Sequence, residues 1–164
     1  MLNKNIDIKT SSRADEKEYF GLCIAYNEEI LVLLNFNEET SVYDGFTIFR
    51  NYDVEFYREW DSVDFAKLKQ DNSEALLNDI DLSCIKSFES AFQYLNSKLI
   101  AVYTYNDLES YYVGKVESLI GNELSLQLIT KEAEWIDFIK LNIESIWYIG
   151  FDSTYEKQLI KDAL

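Results

Sequence analysis

Tyr19-Phe20-Gly21-Leu22-Cys23-Ile24 and Tyr112-Val113-Gly114-Lys115-Val116 are the stretches on which the fold turns, their glycines 93 residues apart. Each sets one glycine inside a run of aromatic and apolar residues, and each is followed by an apolar core run. After the first comes Ile30-Leu31-Val32-Leu33-Leu34; after the second comes Leu124-Ser125-Leu126-Gln127-Leu128. Gly45-Phe46-Thr47-Ile48-Phe49-Arg50 then leads to Asp53-Val54-Glu55, and Trp135-Ile136-Asp137-Phe138-Ile139-Lys140 leads to Asn142-Ile143-Glu144. Period-2 alternation with β-branched and aromatic enrichment predicts strands throughout. The chain therefore reads as an internal repeat. Val54 and Ile143 stand 89 residues apart, which predicts a loop four residues shorter in the second copy.

Turn chemistry punctuates the strands. Gly121-Asn122, Asn27-Glu28-Glu29 and Asn106-Asp107 are predicted turns, since Gly and Asn tolerate left-handed backbone. Between the copies, Ile85, Phe88, Phe92 and Leu95 follow helical spacing and Ser83 offers an N-cap, so residues 73–97 read as a packed helical connector without Pro or Gly. Thr154 to Leu164 reads as an amphipathic helix with Tyr155, Leu159 and Ala163 on one stripe.

This pattern resembles a small SH3-like or Sm-like β-barrel, duplicated in tandem over residues 17–60 and 99–150. The glycine-bearing first strand, the central apolar strands and the Val54 and Ile143 steps carry the resemblance. It implies a mainly β chain with some α: a first small barrel in 1–72, the helical connector in 73–97, and a second barrel with a C-terminal helix in 98–164. In Sm-like proteins a basic residue followed by Gly helps cradle uridine. Phe138-Ile139-Lys140-Leu141-Asn142 and Phe49-Arg50-Asn51-Tyr52 both lack that Gly, so the resemblance does not bring RNA binding with it.

Composition narrows the chemistry. The 164 residues contain no His and no Pro, with 30 acids against 15 bases for a formal charge of −15. Without His there is no imidazole base, no Ser-His-Asp triad and no imidazole metal ligand. Cys23 and Cys84 form no CxxC pair and read as buried free thiols, so no metal or cofactor is expected. No stretch reaches the length of an apolar membrane span, and the first residues carry no secretory pattern, which predicts a cytoplasmic protein that binds no membrane. The charge is spread, with 15 acids and 8 bases in 1–72, 4 and 1 in 73–97, and 11 and 6 in 98–164. Such a chain repels phosphate backbones, so no nucleic-acid partner is expected; it attracts basic proteins.

Carboxylate pairs such as Asp15-Glu16, Glu28-Glu29 and Glu38-Glu39 recur too often to mark a catalytic site, and Asn35-Phe36-Asn37-Glu38-Glu39 lacks the Gly of a calcium loop. The aromatic and acidic run Phe56-Tyr57-Arg58-Glu59-Trp60-Asp61, with its counterpart Ile146-Trp147-Tyr148-Ile149, is the better candidate. Tyr57, Glu59, Trp60, Asp61 and Trp147 are the expected partner-binding residues, because rings beside acids anchor basic partners; the alternative for the same rings is core packing. The expected function is a non-catalytic acidic protein-binding module, in concrete form an immunity-type inhibitor of a basic toxin or nuclease. The rival expectations are a carboxylate-only enzyme, for example on sugars, in an inter-domain cleft, or an oligomerising structural or regulatory subunit.

Overall fold

The computed structural model describes residues 1–10 and 18–164, without the side chains of Phe56, Leu108, Glu109 and Ser110. It is mainly β. The first run of strands is β1 (Asn5–Thr10), β2 (Glu18–Tyr26), β3 (Ile30–Asn37), β4 (Val42–Arg50) and β5 (Val54–Glu59). The second is β6 (Leu99–Thr104), β7 (Asp107–Ile120), β8 (Glu123–Ile129), β9 (Trp135–Asn142) and β10 (Ile146–Phe151). Among the described residues there are also four short helices: α1 (Ser62–Phe65), α2 (Ser73–Leu77), α3 (Phe88–Tyr94) and α4 (Thr154–Asp162). All strand pairs are antiparallel, and the sheet order is β5-β1-β2-β3-β4-β10-β6-β7-β8-β9.

Each run of five has the same order, fifth-first-second-third-fourth, and the two runs join where β4 pairs with β10. Local details repeat as well. A Cβ on Gly21 would sit 2.2 Å from the Leu34 carbonyl oxygen, and one on Gly114 would sit 2.6 Å from that of Gln127. Both glycines therefore let the next strand approach closely, which no side chain would allow. The β2–β3 register slips between Cys23 and Ala25, and the β7–β8 register between Val116 and Ser118, at the same offset from each glycine. Such bulges bend a strand and increase its twist. A 3₁₀ turn precedes the fifth strand in both runs, at Asn51–Asp53 and Ile143–Ser145. The helix after each fifth strand begins with a capping box, Asp61 with Asp64 and Ser153 with Glu156.

These landmarks correct the spacing expected from the sequence. Ile143 belongs to the second 3₁₀ turn, and the residue that opens the fifth strand, as Val54 does, is Ile146. The offset is 93 residues at the glycines and 92 from the 3₁₀ turn onward, so no four-residue deletion separates the copies. The Asp-Val-Glu and Asn-Ile-Glu matches are a coincidence of composition three residues out of step.

One hydrophobic cluster runs through both runs of strands. Ile48, Ile149 and Val102 lie side by side across the seam and join Val32, Leu126, Ala91, Phe92 and Leu95 in that cluster. The opposite face of the sheet is also covered near its middle, by Ile8, Leu31, Leu33, Phe49, Trp147 and Tyr148. The connector differs from a single helix: α2, a 3₁₀ turn at Leu82–Cys84 and α3 follow one another. Its stripe is nonetheless buried, with Ile85, Phe88, Phe92 and Leu95 inside. Ser87, not Ser83, caps α3, and Asp81 caps the 3₁₀ turn. That turn points Cys84 outward, so only Cys23 is buried. Burial pushes the Cys23 thiol up to about 11. In α4, Leu159 is buried as expected, but Tyr155 is exposed and Glu156 lies inside instead.

Candidate functional site

The residues singled out from the sequence are dispersed. Tyr57 and Glu59 are exposed on β5 at one end of the sheet, and Glu59 lies 3.8 Å from Lys4. Trp60 turns inward. Its ring meets Phe36 at 5.2 Å and Phe65 at 5.5 Å, and its Nε1 donates to Asp7 Oδ1 at 2.7 Å. Asp61 is the N-cap of α1 and accepts from Val63 N at 2.8 Å. Trp147 is buried on β10, near the middle of the sheet. The two indoles are thus packing elements; Tyr57 and Glu59 share only the β5 edge, and Asp61 lies beyond it at the start of α1.

At that edge an ionic clamp ties three elements together. Arg58 on β5 donates to Asp7 on β1 and, at 2.7 Å, to Asp64 on α1. Both carboxylates are buried. The Arg58 guanidinium, the Asp61 N–H and the Lys67 ammonium hold the Asp64 carboxyl well below the usual range, and the carboxylates of Asp64 and Asp7 raise Arg58. A buried carboxylate needs such partners because desolvation otherwise favours its neutral form.

A different environment lies over the seam. A groove of about 340 Å³ crosses β2, β3, β4, β10 and β6 and ends at the start of α4. Its floor is small: Thr47 on β4, Gly150 on β10 and Ala101 on β6, adjacent in register. A Cβ on Gly150 would meet nothing closer than 3.8 Å, so this glycine leaves space open. Tyr19, Tyr103 and Tyr148 line the groove together with Phe20, Phe36, Phe46 and Phe151, with Tyr103 stacked on Tyr148 at 4.1 Å and Tyr19 edge-on to Tyr148 at 5.4 Å. Three carboxylates, Glu18, Glu38 and Glu156, complete the lining, and no Lys or Arg joins them among the described residues. Lys9 pairs with Glu18 at 3.0 Å. Burial pushes the Tyr103 phenol up, and Tyr111, Glu156 and Tyr19 add to that shift, so its hydroxyl stays protonated. A second, wider groove of about 520 Å³ runs between α2 and α4, but Lys157 offsets Asp44 there and Thr154 already occupies that carboxylate at 2.8 Å.

The seam groove is the candidate site. No family model matches the chain, and no curated protein does. Among the described residues no three acidic or thiol side chains converge as a metal-binding group, and no helix is long and apolar enough to cross a membrane. Sequence reading missed Glu156 because it looked like one surface acid among thirty. The available signal was the box Ser153-Thr154-Tyr155-Glu156, which places a Glu at the third helical position, where it folds back on the helix start. Gly150 and Ala101 carried no signal alone, since an empty place has no side chain to read.

Proposed function

We propose that the protein is a non-catalytic, cytoplasmic acidic module that binds a basic protein, built as two SH3-like or Sm-like units in tandem. The repeated fifth-first-second-third-fourth order, with its glycine, bulge and 3₁₀ turn, supports the duplication. The observation that carries the function is the seam groove, which offers three carboxylates and three tyrosines with no Lys or Arg in its lining among the described residues. A basic side chain finds there both charge and aromatic surface. Inhibition of a basic toxin or nuclease is the concrete form of this reading, and the charge of −15 would speed the encounter. Binding fits better than carboxylate catalysis on sugars: Lys9 already pairs with Glu18, and the cap at Ser153 fixes Glu156 on one oxygen, an arrangement suited to holding a cation.

Capture from the source lysate by the tagged protein, at about 50 and 300 mM salt, tests this reading, since that range changes charge screening severalfold. The expected result is a stoichiometric basic partner that is held at low salt and weakened at high salt. No partner at either salt, or a salt-indifferent one, overturns it.

A second reading has its own observation. Inside the chain a fourth strand, β4, pairs with a fifth strand, β10, while a fourth strand, β9, and a fifth strand, β5, lie at the two ends of the sheet. β9 exposes Ile136 and Phe138 at 48% and 60%. Paired edges of this kind would join copies head to tail. Sedimentation over a range of concentrations decides it: a constant monomer mass ends the oligomer reading.

A further inference from the structure

Arg58 and Gly150 occupy the same place in their two runs of strands, 92 residues apart. The registers fix the match. Arg58 pairs with Asp7 as Gly150 pairs with Ala101, and Glu59 pairs with Ile6 as Phe151 pairs with Ile100. The helices keep the same offset: Asp61 and Ser153 are both N-caps, and Asp64 and Glu156 are both the third residues of capping boxes. In the first run the Arg58 guanidinium fills the space between Asp7 and Asp64. In the second run the helix carboxylate is kept, with Glu156 only 7% exposed, but Gly150 supplies no side chain and Ala101 replaces the aspartate. The missing arginine leaves a hollow, because Gly150, Ala101 and Glu156 all line the seam groove. Glu156 accepts the Ser153 N–H and hydroxyl on Oε2; its Oε1 accepts no hydrogen bond among the described residues and is not sealed from solvent, so it is open to the groove. A carboxylate this deep ordinarily has a charged or fully hydrogen-bonded partner.

We propose that the seam groove is a guanidinium site, filled by an arginine side chain of the basic partner; the source of the arginine rests on the binding-protein reading above. The guanidinium takes the place that Arg58 takes in the first run and donates to Glu156 Oε1, with Glu18 and Glu38 as the further carboxylates of the lining. Its aliphatic stem lies over Gly150, Ala101 and Thr47, beside the tyrosine rings. Arginine suits this place better than lysine: its planar fork serves two acceptors at once and stacks on aromatic faces, whereas an ammonium is a strongly hydrated point charge. The first run shows the chemistry already built by the same chain.

The test titrates the full ¹⁵N-labelled chain with ethylguanidinium chloride and, separately, with ethylammonium chloride at matched ionic strength. Saturable shifts of the Gly150, Ala101 and Ser153 amides with ethylguanidinium, and weaker binding of ethylammonium, are expected. Glu156→Gln keeps an acceptor for the cap and removes only the charge; it is expected to weaken binding about tenfold, the scale of one charged hydrogen bond. Gly150→Arg supplies the guanidinium internally and is expected to abolish the shifts. Absence of saturable shifts in the wild type, or unchanged binding in Glu156→Gln, overturns the site; neither depends on how Gly150→Arg folds. Partner capture separates the two readings. If Gly150→Arg captures the basic partner as well as the wild type while the wild-type groove still binds ethylguanidinium, the arginine is not the partner's and that half of the proposal fails. If neither protein captures a partner, the binding-protein reading fails and the titration alone decides the site.

Discussion

Val54-Glu55-Phe56-Tyr57-Arg58-Glu59 and Ile146-Trp147-Tyr148-Ile149-Gly150-Phe151 are fifth strands of equal length, one at the end of the sheet and one in its middle. The first carries three charged residues in six; the second carries none. Edge strands must discourage further pairing, and charge is a common means. Central strands must match apolar neighbours on both faces. One topology thus accepts two opposite compositions, and the charged one lies at an end of the sheet. The contrast at Arg58 and Gly150 belongs to the same pattern: the edge strand satisfies its buried acids internally, while the central strand leaves a hollow beside one.

The sharpest way to break this comparison is to truncate the same position in both strands. Ile149 and Tyr57 stand opposite Val102 and Ile8, which are equivalent residues of the two first strands. Ile149 is fully buried and Tyr57 is 45% exposed. Ile149→Ala should cost about 2–5 kcal/mol, the range for buried aliphatic truncation. Tyr57→Ala should stay within about 0.5 kcal/mol, as exposed positions usually do. Urea unfolding of both variants measures the difference, and equal costs would show that β10 is no more central than β5.

Next in size are the two close-approach glycines. Gly21→Ala and Gly114→Ala should each cost about 1–3 kcal/mol, because the added Cβ meets backbone that can move only by disturbing a strand pair. Gly21 should be the worse, with 2.2 Å of clearance against 2.6 Å. Thermal melts that leave either variant at wild-type stability would remove the close approach as the reason for the repeat.

The ionic clamp gives the edge strand a pH signature. The Arg58 guanidinium holds the folded pKa of Asp64 below its ordinary 3.8. A depressed carboxylate contributes stability that is full above the unfolded value and is lost as pH falls through the folded one. The stability gap between wild type and Arg58→Met should therefore be widest near neutrality and narrow on acidification below about pH 4. Denaturant melts across that range check it; a gap that stays constant or widens in acid would show that the clamp is not electrostatic.

Much of this architecture was legible in the residues. Gly21 and Gly114 announced the repeat, because a glycine inside an apolar strand marks a bend or a close approach. The Gly121 turn followed from its chemistry, and Gly121 does adopt a positive φ of 58°. Other features were out of reach for physical reasons. Alternation separates the two faces of a strand but does not say which is covered, and the middle of this sheet is covered on both, so Trp147 read as a surface anchor. Trp135 to Leu141 read as a two-sided strand, yet β9 ends the sheet and half of it faces solvent. Glu156 and Gly150 acquire meaning only when set against Asp64 and Arg58, which requires the strand register.

The smallest expected effect concerns Gly150. Unlike Gly21, it has no atom within 3.8 Å of where a Cβ would stand and no positive φ. Alanine there is free of strain and restricts the unfolded chain, so Gly150→Ala should leave stability unchanged or raise it by up to about 1 kcal/mol. The open floor is then not demanded by folding, in contrast to both close-approach glycines. The variant should also narrow the groove over its floor and weaken ethylguanidinium binding without disturbing the sheet. Calorimetry and the same amide titration read the two effects separately. A destabilised Gly150→Ala would mean that the glycine serves the β4–β10–β6 packing, and the hollow would be a by-product of the seam and not a place kept open for a ligand.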